Sequence, residues 1–289
     1  NYLMHTHTSN YILPFLTKEL EIKRKAMKKI FLQHGITATK NVEPFYGKMT
    51  NPDMTDKFLV SSKRELAQVH NQLKYPINDI RITGLARFDH LLKGNNFIKT
   101  YLLRKKILIM PTWRKGKNHL SDKEFKQTKF FNYFSDLINE PAIEELIQNK
   151  KLTVDFYLHS NFQKYAHLFE SNTVNILKEG DQTVQDLLKS HGVLITDYSS
   201  VGLDFVLQQR KVLYFQFDND IEELQTETND HFLLPGPIFK TKKQLIMGLQ
   251  EAIKNNRLTE PYLGIVREQL YSYKDTNACR RIYEVLDNM

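Results

Sequence analysis

Short apolar runs rich in β-branched residues alternate along this chain with longer stretches whose apolar positions recur at helical spacing. From about residue 105 the alternation is regular. Lys106-Ile-Leu-Ile-Met110 predicts a strand, 130–149 a helical stretch, Thr153-Val-Asp-Phe-Tyr157 a strand and 162–170 a helix. Thr173-Val-Asn-Ile-Leu177 is the next strand, followed by Val184, Leu187, Leu188 and His191 at helical spacing. Val193-Leu-Ile-Thr196, a helix over 201–209 and Val212-Leu-Tyr-Phe215 complete the series. Strand, helix and strand at this cadence imply a parallel sheet with right-handed crossovers, a Rossmann-like domain.

The earlier residues repeat the grammar. Lys29-Ile-Phe-Leu-Gln33, Lys57-Phe-Leu-Val60 and Asp79-Ile-Arg-Ile-Thr83 predict strands, with Leu66, Val69 and Leu73 marking a helix between the last two. Asn1-Tyr-Leu-Met4 reads as a strand already under way, and 11–28 as a basic amphipathic helix. Three or four strands are few for a doubly wound sheet, so residues 1–95 are expected to be a truncated N-terminal Rossmann-like domain and 96–289 a C-terminal one. The boundary falls in 91–101, around Lys93-Gly-Asn-Asn96. The predicted fold class is α/β of the GT-B type, two Rossmann-like domains facing a ligand cleft.

Composition narrows the function. Lysine and arginine exceed aspartate and glutamate by 41 − 33 = 8, gathered at 18–29, 104–106 and 115–129, which implies an anionic partner. The single cysteine, Cys279, rules out a disulfide framework, and no apolar run approaches the roughly 20 residues of a membrane-spanning helix. With no signal peptide visible, an intracellular protein is expected. The P-loop, the dinucleotide-binding glycine pattern and the His-Glu-x-x-His motif are all missing from the sequence. A transferase of phosphate groups or nucleotide sugars, without a metal site, is left.

In open parallel sheets ligands collect beyond the carboxyl ends of the strands. The predicted exits carry Gln33-His-Gly-Ile-Thr37, Pro111-Thr-Trp-Arg114, His159-Ser-Asn161, Glu179-Gly180, Asp197-Tyr-Ser-Ser200 and Asp218. Asp197-Tyr-Ser-Ser200 opens a helix, where free N–H groups favour a pyrophosphate, although Ser199 or Ser200 also suits a plain N-cap. His34 precedes Gly35, which permits close backbone approach, and suits a general base, while a lone histidine is equally at home in a structural role. His159 carries the same ambiguity. Arg114 suits either a bidentate phosphate clamp or a salt bridge. Trp113 reads as a packing residue and Pro235-Gly-Pro237 as a turn, and His5, His7 and His70 have no supporting context.

Taken in order, these segments resemble the CDP-glycerol glycerophosphotransferase family, whose members prime and polymerise teichoic acids and related phosphate-containing capsules. The resemblance runs through Phe31-Leu-Gln-His-Gly-Ile-Thr37, Asp56-Lys-Phe-Leu-Val-Ser-Ser62, Thr83-Gly-Leu-Ala-Arg-Phe-Asp89 and Ile107-Leu-Ile-Met-Pro-Thr-Trp-Arg114. It continues in His159, Asp186-Leu-Leu, Leu194-Ile-Thr-Asp-Tyr-Ser-Ser200, Leu203-Asp-Phe205, 214–218, Pro235-Gly-Pro237 and 275–281. It implies glycerol phosphate transfer from CDP-glycerol, or a related polyol phosphate from CDP-ribitol, to an acceptor hydroxyl, with CMP released. The C-terminal domain would hold the CDP moiety and the acceptor would reach the cleft from the N-terminal side; of the two catalytic histidines, His34 would be the general base and His159 a pyrophosphate contact or leaving-group stabiliser. Gly35, Thr112, Arg114, Asp197, Ser199 and Ser200 would bind substrate. No tightly bound cofactor or metal and no nucleic acid is implied. The partners would be the nucleotide-activated polyol and a lipid-linked or polymeric anionic acceptor, with the protein cytoplasmic and peripheral on the inner face of an anionic membrane. The family's usual Trp-His-Gly-Thr-Pro reads Gln33-His-Gly-Ile-Thr37 here, an acidic residue is replaced by Lys115 and a proline by Ser160, departures that bear on the polyol and the acceptor. A nucleotide-sugar glycosyltransferase of the same fold and a noncatalytic binder of anionic polymers are the competing readings.

Overall fold

A computed structural model of the chain describes residues 1–8, 17–37, 42–218 and 233–289. It divides into two compact units, Asn1–Lys93 with Leu263–Met289, and residues 94–218 with Leu234–Tyr262.

The first unit holds four parallel strands in the order β1 (Tyr2–His5), β2 (Lys28–Phe31), β3 (Lys57–Val60), β4 (Ile80–Ile82). Alternation along the strands gives each face its own core. Phe31, Phe58 and Val60 pack with Val69, Leu73 and Tyr75 on and after the helix Lys63–Asn71, while Ile30 and Leu59 meet Ile282 on the opposite face. Ile282 belongs to the helix Ala278–Asp287. The sequence assigns these residues to the second domain, within 96–289, with no helix marked there. The local pattern does not name the sheet such a helix covers, and the structure packs 263–289 with the first unit. The helix expected over 11–28 runs from Lys18 to Ala26, capped by Thr17, whose hydroxyl accepts the Leu20 N–H at 3.3 Å; residues 11–16 lie outside those described. Its Lys23 and Arg24 pair with Glu19 and Glu21, so the helix neutralises part of its own charge.

The second unit has six parallel strands: β5 (Lys106–Ile109), β6 (Thr153–Tyr157), β7 (Asn175–Leu177), β8 (Val193–Thr196), β9 (Lys211–Phe215) and β10 (Ile238–Phe239). Their spatial order is β10-β9-β8-β5-β6-β7. β5 and β8 are therefore neighbours whose onward connections diverge, the topological switch point at which such sheets bind ligands. The sixth strand is two residues long, and Pro235-Gly-Pro237 leads straight into it, with the Pro237 carbonyl accepting the Tyr214 N–H at 2.9 Å. The helical stretch expected over 130–149 is two helices, Lys129–Ile138 and Pro141–Lys150, because a proline at the first position of the second has no N–H with which to continue the first. The segment after β6 is a 3₁₀ run, Ser160–Leu168. A single core of aromatic and β-branched side chains, including Phe125, Phe130, Phe134, Phe156 and Phe215, fills one face of the sheet. No helix among the described residues is long and apolar enough to cross a membrane.

Candidate active site

At the switch point the exits of β5, β8 and β9 are fastened by charge. Arg114 is 5% exposed. Its Nε and Nη2 reach the Asp218 carboxylate at 3.0–3.3 Å, its Nη1 lies 2.9 Å from Asp197 Oδ2, and the same Nη1 donates to the Thr112 carbonyl at 2.6 Å. Burial disfavours the guanidinium charge, but Asp197 and Asp218 more than offset this and hold its pKa above the ordinary arginine value. The fork expected to clamp a phosphate is closed on carboxylates instead. Asp197 likewise points inward, accepting the Thr112 N–H at 2.8 Å and the Tyr198 N–H at 2.7 Å. Tyr198 completes the knot through its hydroxyl, which donates to the Asp218 carbonyl, and burial followed by Asp218 drives its pKa far up.

Around this buried knot sit the groups that solvent reaches. Ser199 and Ser200 are half-buried at the start of the helix Val201–Val206. It is Ser199, not Ser200, whose hydroxyl accepts the first helical N–H, that of Val201, at 3.2 Å. Gly202 and Leu203 bond the Ser199 and Ser200 carbonyls, so the helix start satisfies more of its own N–H groups than the sequence suggested. The Thr112 hydroxyl is buried and makes no hydrogen bond among the described residues. His159 stands at the β6 exit, its ring 6.1 Å from that of Trp113. Its Nδ1 accepts the Asn161 N–H at 3.2 Å, which in the neutral ring assigns the proton to Nε2.

In the first unit His34 follows β2 and is exposed. Its Nδ1 lies 3.2 Å from the Thr6 carbonyl and 3.4 Å from the Tyr46 hydroxyl; the tautomer with Nδ1–H satisfies the carbonyl and puts the lone pair on Nε2. His7 stacks on it, with ring centroids 4.7 Å apart, and the Tyr46 ring lies 5.9 Å away. Sequence reasoning passed over His7. The signal was its position, two residues beyond β1, as His34 lies beyond β2. Gly35 continues the same loop. Among the described residues no three or more of His, Cys, Asp and Glu gather as a metal would require.

Comparison with known proteins decides the class. A family model described as CDP-Glycerol:Poly(glycerophosphate) glycerophosphotransferase matches residues 1–288. The chain belongs to this glycerophosphotransferase family. Among curated relatives, the minor teichoic acid biosynthesis protein GgaB of Bacillus subtilis is 26% identical, covering 98% of this chain and 32% of its own length. The chain thus spans about a third of that relative. The teichoic acid glycerol-phosphate primase of the same organism is 25% identical, with 98% of this chain and 73% of its own covered. A solved structure of the wall teichoic acid polymerase TagF superposes with a TM-score of 0.72 at 16% identity, over 99% of this chain and 72% of that one, which shows a shared Rossmann-like GT-B fold.

Two segments of the glycerophosphotransferase signature turn out to be a clasp. Asp89 accepts the N–H groups of Ala278 and Cys279, each at 2.8 Å, and Arg281 Nε donates to the Thr83 carbonyl at 2.8 Å while its two terminal nitrogens hold Asp275. Gly84 sits between them at φ +73°, a conformation that favours glycine, with Ala278 against the place a side chain would occupy. Thr83–Asp89 and 275–281 therefore fasten the last helix to the first sheet.

Proposed function

We propose that this chain transfers glycerol phosphate from CDP-glycerol, or a closely related polyol phosphate, to a hydroxyl of a teichoic acid or capsule acceptor. The observation that carries the reading is the placement of two histidines at strand exits, His34 with Nδ1 at the Thr6 carbonyl and His159 with Nδ1 at the Asn161 N–H, contacts that suit their Nε2 atoms to opposite roles. An imidazole with its lone pair on Nε2 accepts a proton, and one with Nε2–H donates a hydrogen bond. His34 Nε2 takes the proton of the acceptor hydroxyl as its oxygen attacks the phosphorus that bears glycerol. The bond from that phosphorus to the bridging oxygen breaks, and CMP leaves with the electron pair. His159 Nε2–H meets the charge that grows on the departing phosphate. The hydroxyls of Ser199 and Ser200 bind the donor, with Thr112 in the loop beside them, and Gly35 lets the acceptor approach His34. Arg114 and Asp197 serve by holding the loops rather than by touching phosphate. Such a reaction depends on positioning and charge stabilisation more than on covalent chemistry.

The acceptor is an anionic polymer or a lipid-linked precursor, and the protein works against the cytoplasmic face of an anionic membrane. Supporting this, residues 93–106 carry five cations and no acid, and the helix Phe97–Leu102 within them leaves Phe97, Ile98, Tyr101 and Leu102 exposed.

The test is CMP release from CDP-glycerol with a teichoic acid acceptor, beside calorimetric titration with CDP-glycerol, CDP-ribitol, CMP and a UDP-sugar. His34→Ala is expected to cut turnover by about 100-fold or more while donor affinity stays within about two-fold. Preferential binding of the UDP-sugar would replace this reading with glycosyl transfer. Salt-sensitive polymer binding, with no nucleotide bound, would replace it with a binding module.

A further inference from the structure

The helix Lys63–Asn71 carries a carboxylate that no step above employs. Glu65 is 1% exposed, and its partners are neutral donors. Oε1 accepts the Thr37 N–H at 2.7 Å, and Oε2 accepts the Ser61 N–H at 2.6 Å and the Ser61 hydroxyl at 2.8 Å, with the Gln33 side chain as a further partner. These groups belong to the exits of β2 and β3. Gln33 opens the His34 segment at φ +60°, a left-handed conformation costly for any residue but glycine, and its amide donates to the Leu59 carbonyl. The five residues 33–37 are thus held at both ends, with His34 between.

A buried carboxylate is expensive to keep, and burial pushes the Glu65 carboxyl up against the hydrogen bonds that favour its charge. Packing alone would be served better by an apolar side chain at this point of the helix. The carboxylate provides what an apolar group lacks, two acceptor oxygens that join two loops.

We propose that Glu65 is the positioning residue of the glycerophosphotransfer base: without touching substrate, it fixes Gln33 and Thr37 and so keeps the His34 ring at the Thr6 carbonyl with Nε2 presented. The proposal rests on the reading of His34 as the base.

Glu65→Gln tests it, because both carboxylate oxygens face backbone N–H groups, so an amide turned either way sets its own NH₂ against a donor. The expected result is a kcat lower by about 10- to 100-fold with KM for CDP-glycerol within about two-fold. The His34 Cε1–H resonance, assigned by its loss in His34→Ala, should move while that of His159 stays. Ser61→Ala removes a single donor and serves if E65Q does not fold; it should lower kcat by about two- to five-fold and displace the same resonance. Wild-type kcat in both variants, or an unmoved His34 resonance, overturns the proposal. Full turnover by His34→Ala would instead overturn the assignment of the base, and the role built on it, while the resonance still reports whether Glu65 holds the loop.

Discussion

Arg114→Met would leave two carboxylates buried around an empty charge. Asp197 and Asp218 have side-chain exposures of 0% and 4%, and both lie about 3 Å from the guanidinium. At that distance and an effective dielectric of about 20, each pair is worth roughly 5 kcal/mol of gross attraction, most of it spent on desolvating the ions. Removing one partner forfeits the attraction but not the desolvation, so the expected loss is about 3–5 kcal/mol. With a urea slope of about 2 kcal/mol/M, the unfolding midpoint should fall by roughly 2 M. Trp113, the only tryptophan, is the adjacent residue and reports the transition of this unit by fluorescence. Arg114→Lys keeps the charge but not the fork that spans both carboxylates, and should recover about half of the loss. The reasoning is refuted if R114M unfolds at the wild-type midpoint yet binds CDP-glycerol about 100-fold more weakly, since the guanidinium would then be acting on phosphate.

Two further outcomes are expected. At Asp155 burial raises the carboxyl pKa, but His191 Nε2 at 2.9 Å, then Asn175 at 2.7 Å, more than offset it, so the pKa lies below the ordinary 3.8. A depressed carboxyl contributes stability that is present above the ordinary value and lost as pH falls through the folded one; urea midpoints of wild type and Asp155→Asn should therefore converge below pH 3.8, and a constant gap would dismiss the pair. Gly202→Ala brings a methyl to 2.8 Å from the Tyr214 hydroxyl, which is buried without a hydrogen bond among the described residues, and should cost about 1–3 kcal/mol by thermal melting; Tyr214→Phe should relieve most of that, and additive effects would mean the two do not meet.

The strands of the second unit were legible because their β-branched runs are bounded by polar exits, and those exits also announced the site. Ile238–Phe239 escaped because two residues carry no period. Pro141 showed where a helix had to break, yet the apolar spacing on either side reads as continuous. What local pattern cannot carry is the partner. Arg114 meets Asp218 104 positions away, and nothing near Pro111-Thr-Trp-Arg114 distinguishes a clamp for phosphate from a clamp for carboxylate. Glu65, between Arg64 and Leu66, looks like part of a charged helix face until the sheet buries it. His7 and the helix Ala278–Asp287 failed to register for the same reason, since each acquires its meaning from a strand distant in sequence.

The second unit separates its buried ion cluster from the polar groups nearer the surface. Arg114, Asp197 and Asp218 are buried, whereas Ser199 and Ser200 are half-buried and His159 is partly open. If stability were the only demand, apolar side chains would fill the same volume at less cost. An ion cluster adds direction: one guanidinium joins loops from β5, β8 and β9, and Asp197 in turn orients the N–H groups of Thr112 and Tyr198. Hydrophobic contact resists separation but tolerates sliding, and under the proposed reaction a loop that presents hydroxyls to a phosphate would tolerate little. The same division appears at Glu65, where a buried carboxylate holds the ends of a loop and leaves an exposed imidazole at its centre. In both units a buried polar cluster, costly for stability alone, fixes loop ends beside a more exposed polar side chain.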